Sequence, residues 1–166
     1  MTKSKNPVFI IMGVSGTGKS TIGKLLSENL GIPFFDGDDY HPEANIKKMQ
    51  SGIPLNDEDR YGWLMALNSL SKEHKQRGAV IACSALKSSY REILRKDMGT
   101  NTVFVYLEGS FELVKSRMEK RDSHFMPIDL LKSQFDTLEP PEDAITVSIA
   151  LLPESIVTVI LEQIRK

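Results

Sequence analysis

The residues best suited to chemistry are 13–20, whose sequence GVSGTGKS matches the phosphate-loop pattern G-x-x-x-x-G-K-[ST] in full. The glycines let the backbone turn its N–H groups inward, and the positive end of the following helix favours bound phosphates. We expect Lys19 to reach the β- and γ-phosphates of a nucleotide and the Ser20 hydroxyl to bind Mg²⁺. The predicted nucleotide-binding residues are Gly13, Val14, Ser15, Gly16, Thr17, Gly18, Lys19, Ser20 and Thr21.

The alternative for this segment is a glycine-rich turn that binds nothing. At average residue usage the full pattern should arise by chance in about one per cent or fewer of chains of this length. The segment also lies between an apolar strand pattern and a helical one, which is the context that a phosphate loop requires. We therefore predict nucleotide binding.

Two aspartates at the end of the second predicted strand are candidates for the metal site and the acceptor site. Many phosphate-loop proteins hold magnesium through an aspartate at the end of a later strand. The runs AVIACSAL and TVFVYLEG have no aspartate there, whereas Asp36 and Asp38 directly follow the apolar pair at 34–35. Ligands of open parallel sheets bind at the carboxyl edge. We expect Asp36 to order magnesium-bound water and Asp38 to point at the acceptor.

Short apolar runs alternate with longer segments of helical period, and these elements must position the loop and the aspartates. The predicted strands are 8–12, 33–36, 79–83, 102–107 and 144–149, mostly unbroken apolar runs typical of parallel strands. The predicted helices are 19–30, 42–51, 57–77, 87–97, 110–121, 127–138 and 153–165. The alternation predicts right-handed crossovers. We expect one domain over residues 1–166, with a three-layer α/β/α fold and a five-stranded parallel sheet.

Composition and charge exclude several classes of protein. The net charge of −1 provides no basic field for nucleic acid or an anionic membrane. Cys83, the only cysteine, cannot form an internal disulfide; it lies in an apolar run and is predicted to be a small core residue. No segment approaches the roughly 20 apolar residues of a membrane span. We expect a cytoplasmic protein that binds neither nucleic acid nor membranes.

The sequence closely resembles the gluconate kinases, small P-loop enzymes related in fold to shikimate and adenylate kinases. The resemblance covers almost the full chain and rests on MGVSGTGKST, GDDYHPEANIKKM, GIPLNDEDR, CSALKSSYREILR, YLEGSFELVKSRMEKR, HFMP and LLKSQFDTLEPP. Two residues depart from the family pattern: Gly62 stands where proline is usual, and Ser123 where glycine is usual. Neither departure removes a charged group, so they affect the expected loop geometry more than the expected activity.

The resemblance implies transfer of the γ-phosphate of ATP to the 6-hydroxyl of D-gluconate, with Mg²⁺ as the metal. Gluconate is a small polyol anion, so its site needs hydroxyl partners and a cation for the carboxylate. The expected hydroxyl partners are Asp38, His41 and Asn45; the candidate cations are Arg60, Lys87 and Arg91. Which cation binds the carboxylate is left open, as is a homodimer.

Several of these residues have an alternative structural interpretation. His41 precedes a proline and could serve only to cap the helix predicted at 42–51. Lys87 and Arg91 are four residues apart on a predicted helix, where such a pair is often a solvated surface pair. Asp57 and Asp59 are expected to be favourable charges at a helix N-terminus.

The segment SRMEKRDSHFMP resembles the lid of this kinase class, and the lid is placed at about 117–135. The resemblance implies that the lid closes over the nucleotide and brings arginines to the transferring phosphoryl group. Arg121 is the expected catalytic arginine, Arg117 a nucleotide-binding residue and His124 a substrate-binding residue. The alternative is a solvated basic helix end. The loop ALLPES, before the last helix, is the expected adenine site.

Two other functions are compatible with a phosphate loop. One is a kinase for a different small acceptor, such as shikimate or a nucleoside monophosphate. The other is a regulatory nucleotide-binding switch that transfers nothing. The HPEANIKKM segment argues against the first, and the several polar motifs expected to meet at one acceptor site argue against the second.

Overall fold

The computed structural model describes residues 6–120 and 128–165. Its strands are β1 (Val8–Met12), β2 (Phe34–Asp36), β3 (Ala79–Ala82), β4 (Thr102–Glu108) and β5 (Ile145–Ser148). Its α-helices are α1 (Lys19–Leu30), α2 (Glu43–Gln50), α3 (Asp57–Glu73), α4 (Ser88–Arg95), α5 (Phe111–Glu119), α6 (Ile128–Thr137) and α7 (Pro153–Ile164). A 3₁₀ helix over Gly37–Tyr40 joins β2 to the segment before α2.

All five strands are parallel, in the order β2-β3-β1-β4-β5, which confirms the predicted sheet. β1 is the central strand, and its Ile10 lies opposite Ile81 of β3 and Phe104 of β4. Every residue of β1 is buried. A strand covered on both faces has no polar alternation, and this is why VFIIM is an unbroken apolar run.

The helices cover both faces of the sheet. The crossover through α1 runs from β1 to β2, in one direction across the sheet, and the crossover through α4 runs from β3 to β4, in the other. Crossovers between parallel strands are right-handed in nearly all proteins, which puts these two helices on opposite faces. α1 packs against α7, and α3 packs against α4. The three-layer α/β/α prediction is confirmed.

The carboxyl ends of the strands form one edge, and the chain leaves adjacent strands β1 and β3 in opposite directions there. Such a switch point opens a crevice in which ligands of doubly wound sheets bind. The loop after β1 is joined to the loop after β3 by a hydrogen bond of 3.2 Å, which Gly13 N–H donates to the Ser84 carbonyl. The residues after β1 and β3 therefore meet at one place, and β2 ends beside them, with Asp36 opposite Ala82 of β3.

Some local features differ from the predicted elements. The 3₁₀ helix after β2 was not predicted, and α3 ends at Glu73 rather than at 77, because residues 74–77 form a turn leading to Gly78. Cys83 is 1% exposed, and burial raises the pKa of its thiol to about 12, as suits a core residue. Over residues 6–120 and 128–165, no helix is both long enough and apolar enough to cross a membrane.

Candidate active site

The phosphate loop has the backbone conformation that its glycines permit. Gly13 has φ +145° and lies so close to the neighbouring strand β4 that an added Cβ would be 2.9 Å from the Leu107 carbonyl oxygen. Gly18 has φ +90° and is the N-cap of α1. The Thr17 hydroxyl donates to the Val14 carbonyl at 2.9 Å, so this side chain stabilises the loop itself. The first turn of α1 contains no acidic residue, which leaves its positive end available to an anion.

Lys19 lies across the loop, with its Nζ donating to the Val14 carbonyl at 3.0 Å. Burial lowers the pKa of Lys19, and the nearby carboxylates of Asp38 and Asp36 oppose that shift. An ammonium has three donors, so the contact with Val14 leaves donors for phosphate oxygens. This geometry is compatible with the phosphate-binding role predicted for Lys19.

Ser20 and Asp36 are in contact, as the predicted metal site requires. The Ser20 hydroxyl donates to Asp36 Oδ2 at 3.1 Å, while Asp36 Oδ1 accepts the Asp38 N–H at 3.0 Å and so caps the 3₁₀ helix. In the described part of the chain, no group of three or more His, Cys, Asp or Glu could hold a metal ion. One hydroxyl and one carboxylate fit Mg²⁺, which keeps several waters and takes phosphate oxygens as further ligands.

A cavity of about 220 Å³ lies beside the loop and brings five predicted residues together: Ser15, Lys19, Asp38, His41 and Arg60. The Asp38 side chain is 80% exposed, with Oδ1 3.7 Å from His41 Nε2. Even so, Asp38 lies in a concave site where protein replaces much of the bulk water, and this raises its pKa; the Lys19 ammonium lowers it. The cavity wall therefore carries two basic residues, Lys19 and Arg60, and one acidic residue, Asp38.

His41 and Asn45 are both buried, but in different ways. His41 is 8% exposed, lines the cavity and stacks on Trp63 with ring centroids 4.1 Å apart. Asn45 is 2% exposed and is absent from the cavity wall; its Nδ2 lies 3.2 Å from His41 Nδ1 and donates to the Asp59 carbonyl at 2.8 Å. The structure therefore brings His41, but not Asn45, to the wall of the first cavity.

The helix-capping interpretation of His41 is not observed. The N-cap residue of α2 is Pro42, with no side-chain hydrogen bond. Burial, followed by the Arg60 charge, lowers the pKa of His41 to about 4. The ring is therefore neutral at pH 7, and its contact with Asp38 is not an ion pair.

The three candidate cations lie in different surroundings. Arg60 lines the cavity. Lys87 is the N-cap residue of α4 and pairs with Asp57, Nζ to Oδ1 2.9 Å. Arg91 is 4% exposed and donates to the carbonyls of Ala85 and Glu139, at 2.7 and 2.9 Å. The interpretation of Lys87 and Arg91 as a solvated surface pair is wrong for Arg91, and neither residue lies on the cavity wall.

Arg60 is oriented by a short chain of polar contacts. Its Nη1 donates to the Tyr90 hydroxyl at 2.8 Å, and that hydroxyl donates in turn to Asp57 Oδ1. The guanidinium also lies 5.3 Å from the centre of the Tyr90 ring. Asp57 is thus more than the helix charge that the sequence predicted, whereas Asp59 accepts the Asn56 N–H in a capping box as expected of such a charge.

A second cavity lies on the other side of the phosphate loop. Its wall combines the loop, Arg117 of α5 and the segment before α7, with these lining residues: Gly16, Thr17, Gly18, Thr21, Ile22, Arg117, Ala150, Leu151, Leu152, Pro153 and Ile156. The Arg117 Nη2 donates to the Ile149 carbonyl. The loop expected to bind adenine and the predicted nucleotide-binding Arg117 therefore border the same space.

Residues of α6 were missed as site residues. Leu130, Ser133 and Gln134 line the first cavity, and Gln134 contacts Ser15 of the phosphate loop twice. Its Oε1 accepts the Ser15 N–H at 2.7 Å, and its Nε2 donates to Ser15 Oγ at 3.0 Å. The only signal in the sequence was the family segment LLKSQF. Arg121 and His124 lie outside the described residues.

The chain matches the shikimate kinase family model over residues 15–139. It is 51% identical over 136 residues to the thermosensitive gluconokinase of Escherichia coli (strain K12), covering 81% of this chain and 72% of that protein. It is 44% identical over 181 residues to a probable gluconokinase of Rattus norvegicus, covering 95% and 97%. The crystal structure of a gluconokinase from Sinorhizobium meliloti 1021 matches with a TM-score of 0.87 and 41% identity, over 96% of this chain and 92% of that one. The chain therefore belongs to the gluconokinase family of kinases, within the wider group that the shikimate kinase model describes.

Proposed function

We propose that the protein transfers the γ-phosphate of ATP to the 6-hydroxyl of D-gluconate, giving 6-phospho-D-gluconate and ADP. The observation that carries the proposal is the first cavity, in which the phosphate-loop Lys19 shares one wall with Asp38, His41 and Arg60. A phosphate-binding cation, a carboxylate, a neutral imidazole and a second cation are the groups that a polyol acid and a transferring phosphoryl group need.

Asp38 is proposed to orient the attacking hydroxyl and to accept its proton. The concave surroundings raise the pKa of Asp38, which makes its carboxylate a stronger base, and the nearby Lys19 ammonium opposes that shift and favours the carboxylate form that accepts the proton. Lys19 is proposed to stabilise the negative charge that shifts among the phosphate oxygens in the transition state, where a preorganised cation contributes most.

Ser20 and Asp36 are the residues that would hold Mg²⁺, and the ion would neutralise charge on the phosphates. Asp36 Oδ1 is already used to cap the 3₁₀ helix that carries Asp38. One carboxylate therefore fixes both the metal side and the position of the proposed base.

Arg60 is proposed to bind the gluconate carboxylate. Of the three candidate cations, it alone lines the first cavity among the described residues, and the Tyr90 hydroxyl holds its guanidinium in place. A guanidinium matches a carboxylate with two parallel hydrogen bonds, which adds geometric selection to charge. Lys87 and Arg91, which have protein partners, are proposed to support this wall from behind.

The second cavity is proposed to take the nucleotide base, with Arg117 beside the phosphates. Arg121 is proposed to approach the phosphoryl group and His124 the acceptor when the lid closes. One copy of the chain supplies both cavities, so the proposal does not depend on a homodimer. The buried, unreactive thiol of Cys83 and the ATP requirement both suit a cytoplasmic location.

The test is a coupled ADP-release assay with gluconate, glucose and shikimate as acceptors. We expect turnover with gluconate and little with glucose, which has similar hydroxyls and no carboxylate to occupy Arg60. Comparable kcat/KM for glucose and gluconate would refute carboxylate recognition, and turnover only with shikimate would replace the substrate. ATP binding with no transfer to any acid would favour a nucleotide-binding switch.

A further inference from the structure

We propose that Asn45 is a positioning residue that holds His41 as the neutral Nε2–H tautomer, so that His41 donates a hydrogen bond into the first cavity. The assignment of the tautomer follows from contacts between protein atoms alone. The part that this tautomer plays in the reaction rests on the function proposed above. Asn45 is 2% exposed and His41 is 8% exposed, so bulk water does not compete for their contact.

The orientation of the Asn45 amide is determined by its second partner. One of its side-chain atoms lies 2.8 Å from the backbone oxygen of Asp59. A carbonyl oxygen only accepts hydrogen bonds, so the atom facing it has to be the amide nitrogen. That same nitrogen lies 3.2 Å from His41 Nδ1 and has a second N–H to donate. His41 Nδ1 therefore accepts this hydrogen bond and carries no proton.

A neutral imidazole carries its proton on one of its two nitrogens. With Nδ1 as the acceptor, the proton is on Nε2, the nitrogen that faces Asp38 Oδ1 at 3.7 Å. That distance is too long for a hydrogen bond. The Nε2–H can therefore donate to a group bound in the cavity. A hydroxyl oxygen of a polyol acceptor is such a group.

The charges around the ring keep it neutral. The Trp63 indole stacks on one face of the His41 ring. Burial of the ring and, to a smaller extent, the charge of the Arg60 guanidinium disfavour the imidazolium and lower the pKa of His41 to about 4. Asp38 favours the imidazolium, but only from 3.7 Å. The Asp59 carboxylate of α3 is occupied by Lys48, at 2.8 Å. The Nε2–H tautomer therefore persists through neutral pH.

This arrangement separates the roles of His41 and Asp38. His41 has no nitrogen that could take the proton of the acceptor hydroxyl, since Nδ1 is covered by Asn45 and Nε2 is already protonated. Asp38 is then the proton acceptor on this side of the cavity, and His41 is a donor that holds the acceptor in position. Asn45 does not touch the acceptor and acts through His41.

The direct test is ¹⁵N NMR of the imidazole nitrogens in the full chain without ligand, with His41→Gln used to assign the signals. We expect wild type to show a protonated Nε2 and an unprotonated Nδ1 at pH 7. In Asn45→Asp the carboxylate cannot donate, so Nδ1 should take the proton and the pKa of His41 should rise. A protonated Nδ1 in wild type, or an unchanged tautomer in Asn45→Asp, would overturn the proposal.

Asn68 provides a matched control. It is also buried, and its Nδ2 donates to the backbone oxygens of Leu94 and Lys96, at 2.9 and 3.0 Å, so that within the described part of the chain neither hydrogen bond involves a histidine. Asn68→Asp and Asn45→Asp should both destabilise the fold, but only Asn45→Asp should alter the His41 signals. Equal changes in both variants would reduce Asn45 to a structural residue.

The kinetic readout separates this inference from the proposed function. If the protein phosphorylates gluconate, kcat/KM for gluconate should fall near pH 7 in Asn45→Asp, because the Nδ1–H tautomer has no proton on Nε2 to donate. The value should recover as the pH is lowered and the imidazolium regains its Nε2–H, and Asn68→Asp should show neither change. An active Asn45→Asp variant with the wild-type pH profile would overturn the role in the cavity. No transfer to gluconate by wild type would refute the proposed function, while the NMR result would still decide the tautomer.

Discussion

The two sides of the phosphate loop are built by different means. The phosphate-binding part of the donor side is one continuous loop, whose backbone N–H groups and helix end are proposed to bind phosphate. Arg117 and the segment before α7 complete the second cavity beside it. The acceptor side consists of side chains from the 3₁₀ helix and His41 after it, α2 and the segment that follows it, α3, the loop after β3 and α6. A site made of backbone can be identified from a local motif. A site made of distant side chains depends on which neighbour each side chain finds in the fold.

Asp36 and Asp38 provide the sharpest test of this division, because they are two residues apart and are assigned to opposite sides. Asp38→Asn should lower kcat about 10²–10⁴-fold, the usual contribution of general-base assistance, with little change in ATP affinity or Mg²⁺ dependence. Asp36→Asn should instead raise the Mg²⁺ concentration needed for activity. Steady-state kinetics over a Mg²⁺ titration measures both. A loss of ATP binding in Asp38→Asn would move that residue to the metal side.

Lys19→Ala tests the donor side. Removing one preorganised group that stabilises transition-state charge costs about 10²–10³-fold in kcat, and the KM for gluconate should change little. Lys24→Ala, on the exposed face of the same helix, should retain wild-type turnover. A folded Lys19→Ala variant with near-normal kcat would contradict the phosphate-loop assignment.

Arg60 and Lys87 test which cation serves the acceptor. Arg60→Ala should lower kcat/KM for gluconate by roughly 30-fold, since truncating one partner of a desolvated charge pair costs at least about 2 kcal/mol. The value for glucose should hardly move. Lys87→Ala should cost less than about fivefold, as expected for an exposed ion pair. The reverse order would place the carboxylate at Lys87.

The smallest expected effects are on the free energy of unfolding, when either of two helical glycines is replaced by alanine. Gly23 of α1 lies against β2, where an added Cβ would overlap the Phe34 ring, whereas Gly62 of α3 has open space around it. Gly23→Ala should lower the free energy of unfolding by about 1–3 kcal/mol through overpacking. Gly62→Ala should raise it by about 0.5–1 kcal/mol, because alanine favours helix. Urea denaturation of both variants measures the difference. Stabilisation by Gly23→Ala would show that the donor-side helix is loosely packed.

The elements were predictable because apolar runs report burial on both faces of the sheet, and the phosphate loop because its spacing is local. The burial of Arg91 was not predictable, because a helical spacing shows which residues share a face but not whether that face is buried. Its partner Glu139 comes from a distant turn. Gln134 was missed for the same reason: its contact with Ser15 joins residues 119 positions apart. The partners of Asn45 likewise appear only once α2 and α3 pack together.

The single cysteine, Cys83, is buried, so its rate of chemical labelling can measure how often the surrounding structure opens. Only a thiolate reacts quickly with alkylating reagents, and the Cys83 thiol is buried, with its pKa raised to about 12. Labelling should therefore require local opening at the end of β3, where Cys83 lies beside β1 and the phosphate loop. The labelling rate should then report the population of that open state. An ATP analogue that binds the loop should slow labelling in proportion to its occupancy. Nucleotide binding could then be titrated without any turnover assay.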